Sequence, residues 1–169
     1  MNPVIDPVAE SWAFGSQPDN GQLPPPPDLL AAPGYVARRL HHAYTAAWVR
    51  HVDPLLTGPQ FAVLSAVDAY PGVEQGSLAR AVALDRSTMA SIVRRLTERG
   101  FIVRVIPADD GRKRLLHLTE QGQQSLREAY ARARKLDALL MQGIDAAEQE
   151  DLLDRLNRLS EHWERLVDD

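Results

Sequence analysis

The stretch "LDRSTMASIVRRLTERGFIVRVIPADDGRKRLLHLTEQG", Leu84 to Gly122, changes its pattern twice and decides the fold. Met89, Ile92, Val93 and Leu96 recur at helical spacing. Asp85 stands where its carboxylate can accept first-turn amide hydrogens, and Gly100 where a helix stops at positive φ. The spacing predicts a helix over 86–99. Two apolar, β-branched runs follow, "FIVRVIP" and "RKRLLHL", and Asp109, Asp110 and Gly111 between them supply hairpin-turn chemistry. A helix thus leads directly into a two-stranded ribbon, after which Thr119 can cap a second helix.

Ser87, Ser91 and Arg94 lie opposite the apolar stripe. Small hydroxyls and a guanidinium without bulky hydrocarbon are what entry into a major groove requires, because short residues allow close approach and arginine bonds guanine bidentately. On that helix alone, the same pattern also describes an ordinary solvated face. The ribbon adds weight, since Arg112 and Lys113 sit at a tip able to follow a minor groove whose negative potential attracts cations. Asp110 is placed to orient an arginine and stiffen the turn, although such an exposed pair contributes only about 0–1 kcal/mol of stability.

Charge is focused on the same stretch. The chain has 169 residues and a formal charge of -4, yet Asp85 to Arg114 carries eight basic against four acidic residues. Phosphates respond to the nearby field more than to net charge, so a local basic patch on an acidic chain is compatible with nucleic-acid binding. The length suits one domain that hides roughly 70% of its unfolded surface. With no cysteine, a disulfide framework, a thiolate zinc cluster and cysteine chemistry are excluded. Asp6 and Glu10 stand where a signal peptide needs positive charge, and no apolar run approaches the roughly 18 residues of a spanning helix. A cytoplasmic protein is expected, with no membrane partner.

Residues 1–32 read as a flexible, proline-rich extension, with Pro24 to Pro27 favouring an extended backbone; Trp12 and Phe14 could still pack on the body. A helix is predicted over 34–52, with Val36, Leu40, Ala43 and Ala47 on one face and His41, Thr45, Trp48 and Val52 roughly opposite. Apolar groups on both sides suit burial between the chain's own domain and a partner subunit. Thr57 and Gln60 fit a capping box, with Pro59 tolerated in the first turn, for a helix ending before Pro71. A short helix is expected at about 75–82. From Thr119 a long helix should reach Met141, and a last one, 145–166, repeats Leu152, Leu153, Leu156, Leu159, Trp163 and Leu166 at helical spacing beside abundant acids.

In order and spacing, "LTGPQFAVL", "LDRSTMASIVRRLTERGFIVR", the "DGR" of Asp110 to Arg112 and "LTEQG" of Leu118 to Gly122 together resemble the MarR family of winged helix-turn-helix regulators. Gly76-Ser77, where many members carry an acidic residue, and the proline-rich extension depart from the pattern. The resemblance implies a mainly α fold with a small β-hairpin wing, a winged helix over 55–118 within a domain of 33–169, and dimerisation helices over 34–52 and 119–167. It further implies a homodimer on double-stranded DNA, its two lobes reading a pseudo-palindrome with half-sites about one helical turn apart. By analogy Ser87, Thr88, Ser91, Arg94 and Arg95 supply major-groove and flanking phosphate contacts, and Arg112 with Lys113 the wing contacts.

Members of that family often bind an aromatic carboxylate or phenol between the dimerisation helices and the lobe, and repression is their commoner outcome. Here "YVARRLHHAYTAAWVRH" offers Tyr35, Arg38, Arg39, His42 and Trp48 for an aromatic carboxylate or its thioester: an arginine fork for the carboxylate, a histidine or tyrosine for a ring hydroxyl, apolar walls for the ring. Arg39 and His42 come first. The competing reading leaves these arginines solvated or paired across the dimer. His41, His42, His51, His117 and His162 make no i, i+4 pair, so neither a metal site nor a cofactor is expected. "QGSLA" is no nucleophile elbow, and no catalytic grouping is evident; an enzyme is not expected. The remaining alternative is a winged-helix protein-interaction module without effector response.

Overall fold

Thr57 and Gln60 form the predicted capping box: Gln60 N donates to Thr57 Oγ1 at 3.4 Å and Thr57 N to Gln60 Oε1 at 3.1 Å. They start α3, Gly58–Ala69. The computed structural model describes residues 23–53, 55–106 and 115–168. Two units are distinguished, residues 1–42 and 43–169.

In the first unit, α1 (Pro27–Leu30) is a single helical turn. The extended backbone expected over Pro24 to Pro27 holds at Pro26, at φ -54° and ψ 140°, and gives way to the helical turn at Pro27. Pro27 occupies the first helical position, where a missing amide hydrogen costs nothing and φ is already helical, and Asp28 complements the amino end. Residues 1–22, with Trp12 and Phe14, lie outside the described residues. The helix predicted from Gly34 is α2, Pro33–His51.

In the second unit, α4 (Gln75–Ala81) and α5 (Arg86–Glu98) make a helix-turn-helix, followed by β1 (Ile102–Val105), β2 (Leu115–Leu118), α6 (Glu120–Leu140) and α7 (Ala146–Asp168). The turn between α4 and α5 closes with Leu84 N on Ala79 O at 2.9 Å, and holds Ala83 at φ 53°. At the amino end of α4, Glu74 offers no side-chain cap to the helix. Gly100 ends α5 at φ 74° as predicted. β1 and β2 pair antiparallel, Val103 facing His117 and Arg104 facing Leu116. On its other edge, β2 bonds a short segment that sequence patterning missed: Gly72 N reaches Leu116 O at 3.0 Å, and Glu74 bridges Leu115.

The stripe read from the sequence is the core. Met89, Ile92, Val93 and Leu96 of α5 are buried with Val63, Leu64 and Val67 of α3, Leu78 of α4, Ile102, Leu116, and Leu126 and Ala129 of α6. A second cluster joins Trp48 and Val52 to Ala133 and Leu136, with Phe61 packed against it. Asp53 Oδ1 accepts Leu55 N and Leu56 N at 2.7 and 3.1 Å while Oδ2 pairs with Arg132 at 3.3 Å, tying the turn after α2 to α6.

On α2 the predicted stripe is not the buried one. Val36 and Leu40 are 38% and 56% exposed and Ala43 is exposed, whereas Trp48 and Val52 of the opposite set are buried. The indole ring packs among Phe61 of α3 and Ala133 and Leu136 of α6, and its N–H donates to Leu56 O in the turn before α3. Along α7, Leu153, Leu156, Leu159 and Leu166 are all exposed and none of the side chains described over 146–167 is buried, so within one chain this amphipathic helix leaves its apolar face uncovered. No helix among the described residues is long and apolar enough to cross a membrane.

Candidate nucleic-acid interface

Burial of one side of α5 fixes what the other side presents. Ser87, Ala90, Arg94 and Arg95 are exposed, and Thr88 and Ser91 are half-buried at the margins. Arg86, at the amino end, is exposed as well. Sequence reasoning passed over Arg86 and Ala90, although Ala90 falls between Ser87 and Arg94 on the same helical face. A methyl group there suits a thymine methyl.

Arg94 lies 3.9 Å from Glu98, both side chains more than 60% exposed. So loose a pair leaves the guanidinium available, since exposed i, i+4 pairs contribute only about 0.3–0.5 kcal/mol. Arg95 lines a cleft of about 390 Å3 with Leu55, Gln60, Glu98 and Arg99. Arg99 is structural: its Nη1 donates to Leu55 O at 2.7 Å, and its guanidinium stacks 4.5 Å from the Phe101 ring centroid.

Asp85 caps α5 more fully than its position alone predicts. Oδ1 accepts Ser87 N, Ser87 Oγ and Thr88 N at 2.8, 2.6 and 2.9 Å, and Oδ2 accepts Thr88 Oγ1 at 2.5 Å. The Ser87 and Thr88 hydroxyls, then the backbone amide of Thr88, hold the carboxyl well below the usual carboxylate range.

The ribbon carries this lobe's second basic element. Arg104 is exposed on β1 and was not among the predicted contacts. Asp110, Arg112 and Lys113, assigned to the tip, lie outside the described residues.

The candidate effector residues divide. Tyr35, Arg38, Arg39 and His42 line one pocket of about 250 Å3, with the Arg38 guanidinium 5.5 Å from the Tyr35 ring centroid. Trp48 does not line it. Its ring is 3% exposed, its Nε1 donates to Leu56 O at 2.6 Å, and Phe61 packs on it with centroids 5.1 Å apart. The spacing explains the division: positions 35, 38, 39 and 42 make one helical stripe that continues through 45, 46 and 49 and bypasses 48. Among the described residues no three His, Asp or Glu side chains gather as a metal ion would require.

A helix-turn-helix whose second helix shows a small, polar, basic face, followed by a two-stranded ribbon, defines a winged helix-turn-helix DNA-binding lobe. A MarR family model matches residues 56–113. The transcriptional regulator HosA of Escherichia coli is 35% identical over 113 residues, 67% of this chain and 83% of HosA. The chain belongs to the MarR family of DNA-binding transcriptional regulators, which are not enzymes. Among solved structures, the PcaV regulator of Streptomyces coelicolor in complex with its natural ligand is similar at 36% identity and TM-score 0.77, covering 81% of this chain and 97% of PcaV. BpsR of Bordetella bronchiseptica, whose DNA binding is regulated by 6-hydroxynicotinic acid, is similar at 25% identity and TM-score 0.72, covering 76% of this chain and 92% of BpsR.

Proposed function

We propose that two copies of the chain form a repressor that grips a pseudo-palindromic operator and is released by a small aromatic acid or its thioester. The observation that carries the DNA-reading part is the division of α5, with four apolar side chains buried and Ser87, Ala90 and Arg94 left to solvent. In this reading α5 enters the major groove with Ser87, Thr88, Ser91 and Arg94, while Arg95 reaches a flanking phosphate. Arg112 and Lys113 extend into the neighbouring minor groove, and Asp110 orients the tip. The exposed leucines of α7 and the exposed Val36 and Leu40 of α2 support pairing, because contiguous apolar faces of this kind mark interaction surfaces. Residues 34–52 and 119–167 are then the dimerisation helices and 55–118 the winged lobe.

Arg94→Ala should lower the preference for operator over random duplex by about 1–3 kcal/mol, whereas Arg112→Ala should weaken binding to both and reduce the salt slope by about 1. Fluorescence anisotropy at several salt concentrations separates the two, and identical operator binding by both variants would remove the contact assignment.

Effector release is proposed at the pocket of Tyr35, Arg38, Arg39 and His42. Two guanidiniums beside a phenol and an imidazole match a carboxylate on a hydroxylated ring. The regulation of BpsR by 6-hydroxynicotinic acid supports that ligand class. Benzoate- or cinnamate-type acids, or their coenzyme A thioesters, should raise the melting temperature and release DNA. Arg39→Ala should blunt the release and leave the ligand-free melting temperature in place; an undiminished response takes Arg39 out of the site.

A further inference from the structure

Asp85 does more than cap α5. An ionised carboxylate only accepts hydrogen bonds, so the hydroxyl in each O···O contact must be the donor. The 2.6 Å bond from Ser87 Oγ and the 2.5 Å bond from Thr88 Oγ1 have the length of charge-assisted bonds. Each hydroxyl has one hydrogen, and both hydrogens are committed. What Ser87 still offers toward solvent is lone pairs alone.

We infer that Asp85 is a positioning residue for sequence reading: by taking the Ser87 hydrogen it makes that hydroxyl an acceptor, selective for the exocyclic amino group of adenine or cytosine. In the major groove only adenine N6 and cytosine N4 donate; guanine O6 and N7, adenine N7 and thymine O4 accept, as do all phosphate oxygens. Turning the Ser87 hydrogen to a phosphate exchanges one anionic acceptor for another and leaves the carboxylate facing a like charge. That rotation gains nothing, so Ser87 is assigned to a base and not to the backbone. The half-buried Thr88 holds the second carboxylate oxygen and fixes the plane of the group. The carboxyl, held below the usual carboxylate range by these same bonds, is ionised at neutral pH.

The inference rests on α5 being the helix that enters the major groove, and the test separates the two claims. Full-length wild type and the Ser87→Ala, Asp85→Gly and Arg94→Ala variants each select sites from a random duplex library, after thermal melting has shown them folded. Ser87→Ala locates the half-site position that Ser87 reads. Wild type should prefer adenine or cytosine there on the contacted strand. Replacing that base by its analogue without the amino group (purine for adenine, 2-pyrimidinone for cytosine) should cost wild type roughly 3- to 10-fold in affinity, the size of one neutral hydrogen bond. Ser87→Ala should lose nothing further. Asp85→Gly keeps a residue that helix N-caps favour but removes the carboxylate, which frees the Ser87 hydrogen; its preference should move toward guanine or thymine, whose O6 and O4 accept. A wild-type preference for guanine or thymine overturns the inference, and so does full affinity for the analogue. A site that changes with Arg94→Ala but not with Ser87→Ala overturns it while leaving α5 in the groove. If neither substitution alters the selected site, the placement of α5 fails and the inference with it.

Discussion

Replacing Gly122 by alanine is expected to destabilise the protein by about 3 kcal/mol, the upper part of the range for forcing an atom into a packed site. A Cβ at this position would stand 2.1 Å from the carbonyl oxygen of Phe101 and 2.9 Å from its carbon. Both are backbone atoms, so no rotamer change relieves the clash. Nor can the first turn of α6 slide away. Gly122 N donates to Thr119 Oγ1 at 3.0 Å, the same hydroxyl donates to Gly100 O at 2.6 Å, and Thr119 N donates to Phe101 O at 3.1 Å. Urea unfolding should show a lower midpoint at unchanged slope. Gly76→Ala is the matched control, because its added methyl meets nothing within 4 Å and alanine is the better helix former, by about 1 kcal/mol. Equal midpoints for the two variants would contradict the close approach of α6 to the start of β1.

Trp48→Ala should cost about 3–5 kcal/mol, the usual loss for a buried tryptophan. The ring fills the space among Val52, Phe61, Ala133 and Leu136, so the cavity would open where α2, α3 and α6 meet. Trp48→Phe separates packing from hydrogen bonding. It keeps most of the apolar volume but leaves Leu56 O, on a residue with no exposed surface, without the indole donor, at a cost of about 1–3 kcal/mol. Both variants should lower the melting temperature of the ligand-free protein. A Trp48→Phe variant of wild-type stability that had lost its response to aromatic acids would instead return Trp48 to the effector site.

Local chemistry was legible in the sequence. The caps at Thr57, Asp85 and Thr119 and the stop at Gly100 each depend on a few neighbouring residues; α3, α5 and α6 begin one residue after their caps, and α5 ends two residues before Gly100. The α5 stripe was legible for a similar reason, since only one face of that helix is apolar. On α2 both faces carry apolar groups, and periodicity cannot say which of them the chain covers; Trp48 was therefore placed with the ligand residues. Gly122 stood within a recognised motif, but its physical role is an approach to Phe101, twenty-one positions back, which no local pattern encodes. "PGVEQ" carries no strand signal, so the bonds from Gly72 N to Leu116 O and from Leu116 N to Val73 O went unseen. The side-chain partners of Ser87 and Thr88 were not legible, because a hydroxyl rotates freely and only the folded geometry sets which acceptor takes its hydrogen.

In the proposed repressor, two copies of α5 held at a fixed separation read one operator together. Inserting about five base pairs between the half-sites of the selected operator turns one half-site to the opposite face of the duplex, half of the roughly 10-base-pair turn. Affinity measured by anisotropy should fall to that of random DNA, and an insertion of a full turn should not restore it in a rigid dimer. Unchanged affinity for the five-base-pair insertion would contradict the account.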